Sequence, residues 1–273
     1  LMLGLDAVPR WMHSLCYLCG AGAAGFVLAG RNSGWSMLVA CLSASSAPYF
    51  LTCKNDGFLA GYSLLSFAAL AAGPKGTAAA GAFAGMALSA KYTAALNLVW
   101  IPLAVILTGG AKRAGRMKTW CACAIIVFSV WLIKNWMLMG DPFYPVGSGL
   151  RPSLCGWDER SAEAWRRTLA ASGKNPFSVS RIALDLAREN AAFVWLVPLV
   201  LARSGPLRAA AVSSLAVYGA WHLWRYEQRP VRFSYPALVP AVVCSGALAG
   251  ETLAAHPVLR AAGLGCLLAA ARK

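Results

Sequence analysis

Polar residues interrupt the long apolar runs of this chain in a few short clusters, and each cluster could bind a phosphate or a sugar hydroxyl. The first cluster is Lys54-Asn55-Asp56, between two hydrophobic stretches. Ionisable residues at membrane depth are costly and usually face a cavity or a partner. Lysine, amide and carboxylate groups bind phosphate and hydroxyl groups through charge-assisted hydrogen bonds. A structural interpretation stays open, because Asp56 could instead cap a helix that starts at Gly57.

The second cluster is Lys91-Tyr92, the only charged site in the otherwise uncharged stretch Thr77–Gly109. Two interpretations of Lys91 stay open. The ammonium group extends along its aliphatic stem to the membrane interface, or it is directed at an anionic ligand in the outer leaflet.

The third cluster follows the apolar stretch Thr119–Ile133. Lys134 and Asn135 come first, and Gly140-Asp141-Pro142-Phe143-Tyr144-Pro145 ends the segment. Glycine and proline disfavour further helix and predict a rigid turn, and tryptophan and tyrosine are enriched at the membrane interface. We therefore predict a membrane exit with a polar rim formed by Lys134, Asn135, Asp141 and Tyr144.

The fourth cluster contains Arg225, Arg229 and Arg232 within eight residues. Guanidinium groups match the geometry of phosphate oxygens, and stabilising a phosphate leaving group lowers the barrier to group transfer. Local pairing with Glu227 is the alternative.

Other kinds of chemistry have no recognisable signature in this chain. His13, His222 and His256 have no second ligand at metal-binding spacing, so a divalent metal is left open and no catalytic residue is assigned beyond Asp56 as a contributor. Most of the 9 cysteines lie inside apolar runs, where we interpret them as small apolar packing residues. The chain contains no phosphate-binding P-loop, no GxSxG and no dinucleotide fingerprint.

The elements that position these clusters are apolar helices. Hydrophobic residues make up 59% of the chain and charged residues 13%, against about 25% charged residues in soluble domains. The mean hydropathy is +0.58. We predict an all-α, polytopic transmembrane bundle of about 8–10 spans, some shorter than the roughly 20 residues of a lone span. The candidate spans are His13–Ala29, Ser36–Cys53, Phe58–Ala72, Thr77–Ala90, Thr93–Leu107, Thr119–Ile133, Ala191–Ala202, Leu207–Trp221, Ser234–Ala249 and Val258–Ala271.

The distribution of charge predicts the orientation of these spans. The net charge is +15, but the basic residues fall in short clusters between spans, which indicates cytoplasmic loops and anionic lipids rather than nucleic acid. The densest cluster is Lys112–Lys118. Alternation of spans from that loop places all four polar clusters on the outer face.

We treat residues 1–273 as one transmembrane domain with a long outer loop, residues 138–190. Within this loop, Asp158–Ala171 and Ser180–Asn190 have the pattern of amphipathic helices on the membrane interface. A solvated connector is the alternative for this loop.

Two of the polar clusters resemble motifs of a known family. Asn135 with Gly140–Pro145 resembles the "RN…GNPxYP" exit of bacterial GT-C membrane glycosyltransferases, with Lys134 for the usual Arg and Asp141 for the usual Asn. Gly81–Leu96 resembles the "aGlalgtKyta" segment of the same family. This superfamily includes the protein O-mannosyltransferases and the lipid A aminoarabinose transferases.

Two further segments are similar to that family, and the four occur in the family's order. Asp56 with Phe58 resembles the acid that follows a second helix containing proline, here Pro48. Arg232–Pro240 is similar to the "RYllPalP" segment. The family's catalytic carboxylate lies in the first outer loop, whereas Leu1–Trp11 resembles the stretch after that loop. We therefore expect the N-terminal portion with this carboxylate to be missing from the chain.

The resemblance implies inverting transfer of a sugar from a polyprenyl-phosphate donor to a lipid, glycan or protein acceptor, at the outer face of the bacterial inner membrane. The missing carboxylate would deprotonate the acceptor hydroxyl. The lipid phosphate would be held by Lys91, Lys134, Arg225, Arg229 and Arg232, and Asp56 would lie near the donor or the acceptor.

Two other classes of function stay open. The same cations could line the path of a transporter or flippase for a lipid-linked or anionic substrate, although such proteins tend to contain inverted repeats and we find no internal symmetry. A non-catalytic membrane scaffold is the third interpretation, since the expected carboxylate is missing.

Overall fold

The structure is a computed structural model that describes residues 7–29, 56–95, 98, 102, 106, 110, 112–144, 163–164, 167, 208, 212 and 214–216. Within these residues the regular structure is helical, without strands, which confirms the predicted helical class for this part of the chain. The helices are α1 (Ala7–Ala29), α2 (Asp56–Ala71), a 3-10 turn (Pro74–Gly76), α3 (Thr77–Ala90) and α4 (Arg113–Met139).

Helix α3 has the bounds of its predicted span, Thr77–Ala90. The bounds of α2 differ by up to two residues from the predicted span Phe58–Ala72. Helices α1 and α4 each begin six residues before their predicted spans, but α4 ends at Met139, immediately before Gly140, as predicted. Lys134 and Asn135 are tolerated within its last turns because each has a partner. The Lys134 ammonium lies over the Trp131 ring, and the Asn135 amide is hydrogen-bonded.

Helix α4 is the one helix, among the described residues, that is long and apolar enough to cross a membrane. Its 27 residues span roughly 40 Å at 1.5 Å per residue, more than the ~30 Å hydrocarbon core of a bilayer. Ile126 and Val130 on its surface are 66% and 68% exposed. Lipid is a favourable environment for such an apolar face, whereas water is not. Helix α2 is also apolar, but shorter.

The four helices pack in chain order, α1 against α2, α2 against α3, and α3 against α4. Gly81 lies against Trp120 and Gly85 against Ala124, so α3 and α4 run in the same direction. The 3-10 turn reverses the chain between α2 and α3. The first residues of α2 and the last residues of α3 and α4 therefore lie at the same end of the bundle, which we name the exit end. Lys112–Lys118 at the start of α4 lies at the other end.

Close backbone contacts hold neighbouring helices together. A Cβ atom on Gly61 would lie 2.5 Å from the Cys16 carbonyl oxygen of α1, and one on Gly85 would lie 2.6 Å from the Ala124 carbonyl oxygen of α4. Small residues at such crossings are typical of membrane helices, which gain stability from close packing rather than from expelling water. The Ser66 hydroxyl adds a buried hydrogen bond from α2 to the Ala80 carbonyl of α3, at 2.8 Å.

The core lies between α1, α2 and α3, where the side chains of Tyr17, Leu64 and Phe67 have no exposed surface. At the end opposite to the exit end, Arg116 of α4 fastens the turn between α2 and α3. Its guanidinium donates to Thr77 Oγ1 at 3.2 Å and to the Leu70 carbonyl oxygen at 3.3 Å. The Leu70 carbonyl belongs to the last turn of α2, where carbonyls have no partner within the helix.

We expect Gly85→Ala to lower the free energy of unfolding by about 1–3 kcal/mol, because the added methyl group would meet the α4 backbone and force the two helices apart. Gly115→Ala on α4 is the matched control, since a Cβ atom there meets nothing within 4 Å and alanine favours the helix by about 1 kcal/mol. Unfolding in mixed detergent micelles with increasing dodecyl sulfate would measure both variants. Equal effects of the two substitutions would contradict the close α3–α4 contact.

Candidate functional site

The chain leaves α4 at the exit end through a tight turn. Gly140 ends the helix in the left-handed conformation, with φ 69°, which glycine adopts without strain. The Tyr144 amide then donates to the Asp141 carbonyl oxygen at 3.2 Å, and the Phe143 amide donates to Asp141 Oδ1 at 2.9 Å. Aspartate at the first position and proline at the second position favour such a turn. The predicted turn-rich exit at Gly140–Pro142 is thus confirmed.

The hydroxyl of Tyr92 joins three parts of the chain at the exit end. It donates to the Tyr144 carbonyl oxygen at 2.8 Å, and it accepts from Asn135 Nδ2 at 3.0 Å and from Trp131 Nε1 at 3.3 Å. Tyr92 follows α3, Trp131 and Asn135 belong to α4, and Tyr144 belongs to the turn. One phenolic oxygen therefore fixes the end of α3, the end of α4 and the exit turn relative to one another.

The Asn135 side chain supports the same arrangement from within α4. It is 4% exposed, and its amide nitrogen also lies 3.3 Å from the Tyr144 carbonyl oxygen and 3.4 Å from that of Pro142. Without these bonds the two carbonyl oxygens would have fewer donors in an apolar environment, where an unpaired polar group destabilises the fold. Asn135 is therefore part of the scaffold of the exit turn.

Asp141 has a buried carboxylate oxygen without a hydrogen-bond donor. The residue is 8% exposed, and Oδ1 is used by the turn, but Oδ2 has no hydrogen-bond partner. An unpaired buried polar atom destabilises a fold by about 1–3 kcal/mol, and by more when it carries charge. This oxygen is shielded from solvent as well as unpaired, so it weakens the exit turn in this structure.

An open groove of about 310 Å³ lies between α2, α3 and α4 near the exit end. The Phe58 and Tyr62 rings of α2 stack on each other, with centroids 5.9 Å apart. The Lys134 ammonium lies 3.9 Å from the centroid of the Trp131 ring, an exposed cation beside the groove. The groove is lined by Phe58, Tyr62, Met86, Ser89, Ala90 and Trp131.

The structure brings together four of the predicted site residues and places two more beside them. Tyr92, Asn135, Asp141 and Tyr144 form the exit site described above. Lys91 precedes Tyr92 as the residue that ends α3, where its amide donates to the Ala87 carbonyl at 3.0 Å. Lys134 is linked to the site through Trp131.

The other predicted residues are less defined. Asp56 is the first residue of α2, two positions before Phe58 in the groove, so it belongs to the exit end. Five predicted site residues lie outside the described residues: Lys54, Asn55, Arg225, Arg229 and Arg232. Most of the outer loop 138–190 and most of the spans after it also lie outside them. Within that loop, Arg167 Nε donates to Glu163 Oε1 at 3.0 Å with four-residue spacing, which is typical of a surface helix.

Sequence reasoning missed the groove. Phe58 and Tyr62 are four residues apart, a spacing that predicts neighbouring rings on one helix face, but only the packing of α3 and α4 creates a cavity in front of them. Trp131 precedes the third cluster, and its indole is both a hydrogen-bond donor to Tyr92 and part of the groove wall. Among the described residues, no group of three or more His, Cys, Asp and Glu could hold a metal ion.

Comparison of the chain with protein-family models, with curated proteins and with solved structures finds no match. The resemblance to the GT-C glycosyltransferases therefore rests on the four sequence segments quoted above, and it stays a prediction.

We expect Tyr92→Phe to lower the free energy of unfolding by about 1–3 kcal/mol, because it removes one oxygen that satisfies two donors and one acceptor. Ser129→Ala is the control, since that exposed hydroxyl bonds only to the Ile126 carbonyl on its own helix. Unfolding in mixed micelles would measure both. A Tyr92→Phe variant as stable as the original chain would show that the exit end is held by other contacts.

We expect Asp141→Asn to raise the free energy of unfolding by about 1 kcal/mol, since the remaining carbonyl keeps the bond from Phe143 and the buried unpaired charge disappears. Asp141→Ala should instead destabilise the turn by about 0.5–2 kcal/mol, as loss of a side-chain cap does elsewhere. The same unfolding assay compares the two. Destabilisation by Asp141→Asn would mean that Oδ2 has a stabilising partner.

Proposed function

We propose that this chain forms the carrier-binding part of a multi-pass membrane glycosyltransferase of the GT-C type. The enzyme would transfer a sugar from a polyprenyl-phosphate donor to a lipid, glycan or protein acceptor, at the outer face of the bacterial inner membrane.

The observation that carries this proposal is the direct contact between two segments with separate resemblances to the same family. Gly81–Leu96 and Asn135–Pro145 lie far apart in sequence, and Tyr92 of the first bonds to Asn135 and to the Tyr144 carbonyl of the second. The residues that carry the two resemblances thus build one site. A coincidental resemblance of either segment would not require this contact.

The position of the site also supports the proposal. The exit end lies at the last turn of α4, the helix long and apolar enough to cross a membrane. The last turn of such a helix reaches the headgroup layer, where the phosphate of a membrane-anchored donor lies. Lys134, an exposed cation close to this turn, would then be within reach of that phosphate.

The proposed reaction assigns each group a role. The acceptor hydroxyl oxygen attacks the anomeric carbon of the sugar, the bond from that carbon to the phosphate oxygen breaks, and polyprenyl phosphate leaves with the electron pair. In the family that the chain resembles, the proton of the acceptor passes to a carboxylate in the first outer loop. Lys134, Lys91 and the three arginines would stabilise charge on the leaving phosphate.

We expect membranes that contain the chain extended upstream to incorporate radiolabelled sugar from a polyprenyl-phosphate donor, and the 273-residue chain alone to incorporate none. Arg232→Ala in the extended protein should lower transfer by about tenfold or more, the loss of one charge-assisted phosphate contact. Arg113→Ala, at the end opposite to the exit end, is the matched control and should leave transfer unchanged.

Lack of transfer by the extended protein with several sugar donors would contradict the proposed glycosyltransferase activity. If the same preparation moved a fluorescent lipid phosphate across liposome membranes, the transporter hypothesis would be favoured instead. Retained transfer in Arg232→Ala would remove that arginine from the phosphate site while the enzyme assignment stands.

A further inference from the structure

The groove between α2, α3 and α4 has a composition that selects an apolar ligand. Among the residues that the structure describes, no charged residue lines it, and three of its six lining residues are aromatic. The Ser89 hydroxyl donates to the Gly85 carbonyl at 2.9 Å, and the Trp131 indole nitrogen donates to Tyr92. Binding a sugar needs several polar groups that converge on the ligand, but two of the groove's polar groups are already engaged. A hydrocarbon chain fits this lining better.

The groove is open to the outside of the helix bundle. Met86, one of its lining residues, is 38% exposed, and α4 next to it carries an exposed apolar face at Ile126 and Val130. A hydrocarbon chain could thus enter sideways from a bilayer without crossing a polar barrier.

One side of the groove carries an exposed cation. The Lys134 ammonium lies 3.9 Å from the centroid of the Trp131 ring, whose surface forms the groove wall. Lys134 is one helical turn beyond Trp131, about 4.5 Å along the helix axis. The charge therefore lies within one turn of the apolar lining, on the side toward the exit site. This arrangement complements an amphiphile whose anionic group directly follows a hydrocarbon chain.

We infer that this groove binds the isoprene units next to the phosphate of a prenyl phosphate, with that phosphate on Lys134. The inference rests on the proposed function for the choice of a prenyl chain over an acyl chain. It adds the location of the prenyl chain and its direction. The hydrocarbon lies between Phe58, Tyr62 and Trp131, and the phosphate points toward Tyr92 and the exit turn. The sugar attached to the phosphate would then reach the exit site.

The first test maps the position of the prenyl chain directly. The 273-residue protein in nanodiscs would be irradiated with geranylgeranyl phosphate that carries a diazirine on the isoprene unit next to the phosphate. We expect cross-links in peptides that contain Phe58, Tyr62 and Met86, and competition by unlabelled geranylgeranyl phosphate but not by phosphatidylglycerol. Cross-links confined to the exposed face around Ile126 and Val130, or equal competition by phosphatidylglycerol, would overturn the inference.

The second test fills the groove. Met86→Trp should lower the cross-linking yield by about tenfold, comparable to the loss of roughly two buried methylene groups. Ile126→Trp adds the same ring to the exposed face of α4 and is the matched control. An equal loss in both variants, or no loss in Met86→Trp, would contradict binding in the groove.

The third test concerns the charge. Lys134→Gln should weaken binding of geranylgeranyl phosphate by about five- to tenfold and leave geranylgeraniol, which lacks the phosphate, unaffected. Lys134→Arg should restore binding, and Lys118→Gln at the opposite end of α4 is the control. Equal weakening of the phosphate and the alcohol would show a general packing defect instead of a phosphate contact.

These outcomes separate the groove from the enzyme. Groove cross-links without sugar transfer by the extended protein would retain the lipid site and reject the glycosyltransferase. Sugar transfer with cross-links elsewhere would retain the enzyme and reject this groove.

Discussion

The described structure depends on the close approach of α3 to α4 at Gly81 and Gly85. With no side chain between the two backbones, the ridge of α4 at Trp120 and Ala124 fits against α3. Any other register would place a larger residue at the contact. The same offset of 39 positions that pairs Gly81 with Trp120 also pairs Tyr92 with Trp131. The helix contact thus determines which residues meet at the exit end.

The polar groups at the exit end form a network that is nearly complete. The Tyr92 hydroxyl makes three hydrogen bonds, and Asn135 shares its amide between the hydroxyl and two carbonyls of the turn. In an apolar environment such a network is stable only when its members are paired. Asp141 Oδ2 departs from this rule. A buried polar atom without a partner destabilises a fold by about 1–3 kcal/mol, so this oxygen weakens an otherwise paired network.

The two ends of the bundle have different chemistry. Lys112, Arg113 and Lys118 are exposed at the start of α4, while Arg116 uses its guanidinium to hold the α2–α3 turn. At the exit end, the described residues place aromatic rings and amides near exposed Lys134 and half-buried Lys91. A basic surface suits anionic lipid headgroups, whereas a mixed aromatic and polar site next to an apolar groove suits an amphiphile with one phosphate. The two surfaces are separated by the length of α4.

The amino-acid sequence by itself determined the helical class, the bounds of α3 and the turn at Gly140–Pro142. Apolar runs, glycine and proline act through local backbone preferences, so they can be read without a fold. It also identified Tyr92, Asn135, Asp141 and Tyr144 as polar residues at helix ends. Only the tertiary structure decided that these residues form one site and that Phe58, Tyr62 and Trp131 line one open groove. Those facts depend on the register of helices that are distant in sequence, which is set by contacts between backbones rather than by any local pattern.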